Sequence, residues 1–150
     1  MSKLFDCIKA LSKESIKNHY WKNPPTASPD TPIEEIIRLI VSGKFRTIII
    51  VADKKPVGII TDSDILDFIK PVYSSSFERS YFRLLRQSAE EYMVKNPVTI
   101  KENQTIQKAL EIMEKFNIKR LVVIGEEGEL MGLVTIRKII SDALNIDLMI

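Results

Sequence analysis

The chain repeats itself. Asn23-Pro24-Pro25-Thr26 returns 73 residues later as Asn96-Pro97-Val98-Thr99. A fixed internal offset constrains the fold more than any local signal, because one supersecondary plan must then serve twice. At the same offset Ile33, Ile36, Ile37 and Ile40 fall on Ile106, Ala109, Leu110 and Met113. Both sets have the i, i+3, i+4, i+7 spacing of one buried helix face. Ile48-Ile49-Ile50-Val51 falls on Leu121-Val122-Val123-Ile124, unbroken apolar runs suited to strands covered on both sides. One extra residue enters the turn at Glu126-Glu127-Gly128-Glu129. Beyond it Gly58-Ile59-Ile60-Thr61 falls on Gly132-Leu133-Val134-Thr135, and Ile65 on Ile139.

Each repeat therefore reads as a short strand, a helix, two strands joined by a tight turn, and a second helix. The fold class is α/β of the α+β type, built from two βαββα repeats at about 20–70 and 91–144. An N-terminal segment, 1–19, precedes them and is predicted helical over Lys3 to Lys17, with Leu4, Ile8 and Leu11 on one face. A linker, 71–90, begins with a predicted loop from Pro71 to Ser76. A helix is predicted from Phe77 to Tyr92, and a tail, 145–150, closes the chain. Three-stranded sheets with helices on one side leave an apolar face open, so the two repeats are expected to pack as a pseudo-twofold pair.

Composition narrows the function. Hydrophobic residues make up 45% and charged residues 28% of the 150, as in soluble globular proteins. A net charge of +2 is too small to argue for nucleic acid or a membrane surface as partner. The stripe of Arg79, Arg83 and Arg86 reads first as a solvated helix face. Cys7 is the only cysteine, which fits a reducing cytoplasm. The start, Met1 to Asp6, lacks the apolar run of a signal peptide, and no stretch approaches the roughly 20 apolar residues of a membrane span. His19, the single histidine, has no ligand set at metal spacing and reads as a surface or packing residue. Tyr20 and Trp21 read first as packing residues. Phosphate-loop, dinucleotide and nucleophile-elbow motifs are missing, and no triad or acid–base pair can be assembled. The expectation is a non-enzyme with no catalytic residues, no metal and no required cofactor.

The segment Gly58-Ile59-Ile60-Thr61-Asp62-Ser63-Asp64-Ile65 carries the chemistry. Glycine lets something approach the backbone closely. A helix starting near Thr61 offers free N–H groups and a positive dipole end to a phosphate. Thr61 and Ser63 add hydroxyls, and Asp64 is an acceptor suited to a ribose diol. The same Thr61-x-x-Asp64 spacing is also a sound helix cap. On the motif alone, capping is the first reading and ligand binding the second.

The order Asn-Pro-x-Thr, amphipathic helix, basic pair, apolar strand and Gly-h-h-Thr (h apolar), present twice, resembles the CBS domain, which occurs in tandem pairs called Bateman modules. The resemblance covers about two-thirds of the chain. It implies a regulatory module that binds adenosine-containing molecules in a cleft between the repeats and commonly dimerises. One implied nucleotide site uses Thr61, Ser63 and Asp64 with Thr99, Ile100, Lys119 and Arg120. The pseudo-symmetric site uses Thr135, Arg137 and Lys138 with Thr26, Ala27, Arg46, Thr47 and Ile48. Here the chain departs from the family pattern, because Lys138 stands where Asp64 does and Arg137 where Ser63 does. Lysine cannot accept from a diol. That second site is expected to be empty, weaker, or specific for a more phosphorylated ligand. By itself Lys138 reads as solvated, and with Arg137 and Arg46 as a phosphate contact.

The leading expectation is thus a sensor of the AMP, ADP or ATP class that signals to an unknown protein or to its own dimer mate. Two alternatives remain. One is an interaction protein with degenerate clefts, whose dimer surface or apolar tail (Ile146, Leu148, Met149, Ile150) does the work. The other is a binder of single-stranded nucleic acid.

Overall fold

A computed structural model describes residues 3–43, 45–73 and 87–148. The elements are α1 (Lys3–Ser12), a 3-10 turn (Ile16–Asn18), β1 (Trp21–Lys22), β2 (Thr26–Ala27), α2 (Ile33–Ser42), β3 (Thr47–Ala52) and β4 (Lys55–Thr61). A second 3-10 turn (Asp62–Asp64) leads into α3 (Ile65–Tyr73). After the linker come α4 (Ala89–Tyr92), β5 (Val94–Lys95), β6 (Thr99–Lys101), α5 (Ile106–Phe116), β7 (Arg120–Ile124), β8 (Leu130–Thr135) and α6 (Ile136–Leu144). Among the described residues no helix is long and apolar enough to cross a membrane.

The chain forms two compact units. The central unit is Pro24–Pro97, and the terminal unit joins Met1–Asn23 to Val98–Ile150. Their sheets share one plan. The central sheet runs β2-β3-β4-β5 and the terminal sheet β6-β7-β8-β1. In each, the first strand lies parallel to the second and the next two pair antiparallel as a hairpin. The central hairpin turns through Asp53 and Lys54, both left-handed, and the terminal one uses Gly128 at φ 81°. Each three-stranded sheet expected from the sequence is in fact four-stranded. The fourth strand comes from the start of the other repeat: β1 pairs with β8, and β5 with β4. Two-residue strands leave no periodic signature, so this exchange is invisible in the hydrophobic pattern.

The chain passes from one unit to the other next to each Asn-Pro pair. Asn23 (φ 61°) and Asn96 (φ 54°) both take the left-handed conformation there. Asparagine tolerates it because its short side chain bonds locally. Each unit has its own core. Ile33, Ile36, Ile40, Ile48, Ile50, Ile60 and Phe68 pack in the central unit. Leu11, Ile16, Tyr20, Ile106, Leu121, Val123, Val134 and Ile139 pack in the terminal one.

Three local expectations change. The predicted helix over Lys3 to Lys17 stops at Ser12, because Ser15 makes a bridge to Thr105 and Ile16 N–H donates to Gln104 O at 2.9 Å. The loop predicted from Pro71 runs instead as helix through Tyr73. The helix predicted over Phe77 to Tyr92 falls largely outside the described residues, together with Arg79, Arg83 and Arg86. At its C-terminal end it is interrupted, since Ser88 is extended, bridges Pro32 and caps the short α4.

Candidate functional site

The Gly-h-h-Thr glycines show what approaches them. A β-carbon on Gly58 would strike the Met93 side chain, and one on Gly132 would strike the Trp21 carbonyl and the Tyr20 ring. The close approach read from these glycines is real, but the occupant is the chain itself, in the strand exchanged from the other repeat. Tyr20 and Trp21 are packing residues, as their first reading had it.

In the central unit β4 ends at Thr61, and Thr61 and Asp64 form a capping box. Asp64 Oδ2 accepts from Thr61 N–H at 2.8 Å and from its hydroxyl at 3.4 Å. The capping reading of the motif therefore holds. It uses only one carboxylate oxygen, and Oδ1 has no partner among the described residues. Across the hairpin Thr47 is in register with Thr61. Thr47 is 1% exposed, and its hydroxyl has no hydrogen-bond partner among the described residues. Ser63 is exposed. Arg46 is an exposed side chain whose Nε lies 4.0 Å from Asp62 Oδ2, while its carbonyl accepts from Asp62 N–H at 2.9 Å. Thr26 and Ala27 form β2, in register with Ile49 and Ile50.

The terminal unit has the same frame. Ile136 N–H donates to Lys119 O at 2.9 Å, the counterpart of the Asp62–Arg46 bond. Lys119 is exposed and Arg120 half-buried, in register with Thr135. Thr99 and Ile100 form β6, with Ile100 buried. Thr135 caps α6, its hydroxyl accepting from Lys138 N–H at 3.0 Å. The Lys138 side chain is part-buried and paired. Its Nζ donates to Asp142 Oδ1 at 3.0 Å and lies 4.8 Å from the centre of the Trp21 ring, with the side chain 21% exposed. Arg137 is exposed. It borders an apolar groove of about 320 Å³ with Ile136, Ile140, Ser141, Ile146 and Leu148.

The residues of each implied nucleotide site divide between the units. Thr26, Ala27, Arg46, Thr47, Thr61, Ser63 and Asp64 are central, and Thr99, Ile100, Lys119, Arg120, Thr135, Arg137 and Lys138 are terminal. Sequence reasoning missed the Asp142 and His19 contacts. His19 is only 17% exposed, with Nδ1 2.8 Å from Asp142 Oδ2 and Nε2 3.8 Å from Glu14 Oε2. The i,i+4 spacing of Lys138 and Asp142 was the available signal. Among the described residues no group of His, Cys, Asp or Glu could hold a metal ion.

The CBS domain family matches twice, over residues 15–71 and 89–145. The chain belongs to the CBS domain family. The CBS pair is 33% identical over 121 residues to inosine-5'-monophosphate dehydrogenase of Aquifex aeolicus. That match takes in 79% of this chain but only 22% of the dehydrogenase. The CBS pair thus spans about a fifth of that enzyme's length, and the match shows no catalytic domain here.

Among solved structures, the Arabidopsis thaliana CBS-pair protein CBSX2 in complex with AMP superposes with a TM-score of 0.74 at 18% identity, covering 87% of this chain and 96% of that one. The CBS domain of a bacterial CNNM/CorC family Mg2+ transporter in complex with ATP gives 0.76 at 16% identity, covering 97% of each. At these identities the likeness shows the fold.

Proposed function

We propose that the CBS pair is a regulatory module that binds adenine nucleotide of the AMP, ADP or ATP class. Its occupancy signals, by a population shift, to a partner protein or to a second copy in a homodimer in the cytoplasm. The observation that carries this reading is the end of β4. There, Asp64 keeps one carboxylate oxygen without a partner among the described residues. A carboxylate accepts from the hydroxyls of a ribose diol. Thr61, Ser63 and Asp64 are assigned to ribose and phosphate. Relatives in complex with AMP and with ATP support the ligand class. Binding that favours one conformation shifts the module toward it by the difference in affinity, and no other force is needed.

A ligand that binds only the folded state raises the melting temperature by mass action, by about 2.7 kcal/mol of stability at a hundredfold excess over Kd. AMP, ADP, ATP, NADH and S-adenosylmethionine should be screened against the wild type and Asp64→Ala. The expected result is a shift with at least one adenine nucleotide, abolished in the variant. No shift with any of them at millimolar concentration sinks the reading.

A protein-interaction role is the second reading, favoured by exposed apolar side chains: Val41 on α2, and Leu66 and Ile69 on α3. Sedimentation with and without nucleotide separates the two readings. Assembly indifferent to nucleotide favours interaction alone.

A further inference from the structure

Four positions differ together between the two units. By the repeat numbering, Lys138 stands at the position of Asp64, Asp142 at Phe68, His19 at Tyr92 and Trp21 at Val94. In the central unit Phe68 is fully buried and meets the Tyr92 ring edge-on, with centroids 4.5 Å apart and planes at 89°. In the terminal unit the same two positions hold a carboxylate and an imidazole, 2.8 Å apart. The second oxygen of that carboxylate takes Lys138 Nζ at 3.0 Å. The face of Trp21 receives the same ammonium, a cation–π contact.

A cation alone at Lys138 would oppose the dipole at the start of α6. Asp142, one turn later, neutralises it, and His19 satisfies the oxygen of Asp142 that Lys138 leaves. The substituted groups complete one another, with side chains of Lys138, Asp142 and His19 no more than 21% exposed.

We infer that the Gly132–Lys138 motif of the terminal unit is a self-ligated structural joint, and that the chain holds one nucleotide, at the Asp64 motif. The inference rests on the nucleotide reading above for its ligand, though not for the joint itself. At the Lys138 motif itself the lysine is paired, the Thr135 hydroxyl is used by the cap, and no carboxylate stands at the position of Asp64. A phosphate drawn to Lys138 would also meet the Asp142 carboxylate, a like charge. Arg137 is left as an exposed cation, which on its own holds no ligand tightly. At the Asp64 motif one carboxylate oxygen is left without a partner among the described residues.

Calorimetric titration and native mass spectrometry of the full chain with AMP and with ATP test the count. One nucleotide per chain is expected, lost in Asp64→Ala and held within roughly twofold in affinity in Asp142→Asn, as for independent sites. Two nucleotides per chain overturn the joint while leaving the nucleotide reading intact. If nothing binds, the nucleotide reading fails and Trp21 fluorescence judges the joint. Trp21 is the only tryptophan, so its emission reports on Lys138 directly. Lys138→Met and Asp142→Asn should both move that emission, and added salt should move the wild type toward Asp142→Asn. Emission unchanged in Lys138→Met overturns the joint.

Discussion

Thr47 buries a hydroxyl that no described atom satisfies, whereas Tyr20 buries one that Glu102 Oε2 holds at 2.5 Å. The two call for opposite experiments. Thr47→Val replaces the orphan with a methyl of the same shape. It should stabilise the protein by about 1–3 kcal/mol, the cost of an unsatisfied buried group. Melting measurements check the sign, and a destabilised variant would show that the hydroxyl is satisfied in solution. Burial pushes the Tyr20 phenol up from 10.0 to about 12, with the Glu102 hydrogen bond and charge adding in the same direction. A raised value for a group that ionises to an anion means its contribution is complete below the unfolded value of 10.0 and lost as pH climbs through about 12. Tyr20→Phe should cost about 1.5–3 kcal/mol at neutral pH, typical of a hydrogen bond to a charged group. It should also flatten the alkaline fall in stability, read from denaturant curves across that range. Neither residue's state was legible in the sequence. Hydroxyl pairing depends on atoms that are distant along the chain, and composition does not report them.

At the scale of elements the hairpins and long helices were legible, because each is local and marked by its own period. The exchanged strands β1 and β5 were not, since two residues carry no period and their partners lie more than 30 residues away in sequence. The glycines did announce a close approach, and only its occupant was unreadable. Gly132→Ala should be the costlier substitution, at about 1–3 kcal/mol for an overpacked site, because a backbone carbonyl and the Tyr20 ring stand in the way. Gly58→Ala meets only the flexible Met93 side chain and should cost less. Denaturant midpoints of the two variants decide the order, and equal costs would remove the distinction. The partners of Lys138 were unreadable for a related reason. Its charge suggested solvent or phosphate, while the two groups it meets come from one turn further along α6 and from β1.

For the whole molecule, the exchange makes each sheet depend on a strand from the start of the other sequence repeat. Leu11 and Ile16 belong to the terminal core although they precede the repeat at 20–70, Tyr20 belongs there although it opens that repeat, and Ala89 belongs to the central core although it precedes the repeat at 91–144. Residues 1–23 therefore complete the terminal unit. Deleting them should lower the stability of that unit, read as a drop in its denaturant midpoint, and an unchanged midpoint would falsify the dependence. The duplication visible in the sequence is thus not the division that folds. A recombination that trades residues 20–70 between two relatives of this kind would carry β1 away from the sheet it completes and leave β5 behind. Crossovers at Pro24 and Pro97 would transplant an intact sheet with its own edge. Those two prolines mark where such chains can be shuffled without breaking a hydrogen-bonded ladder.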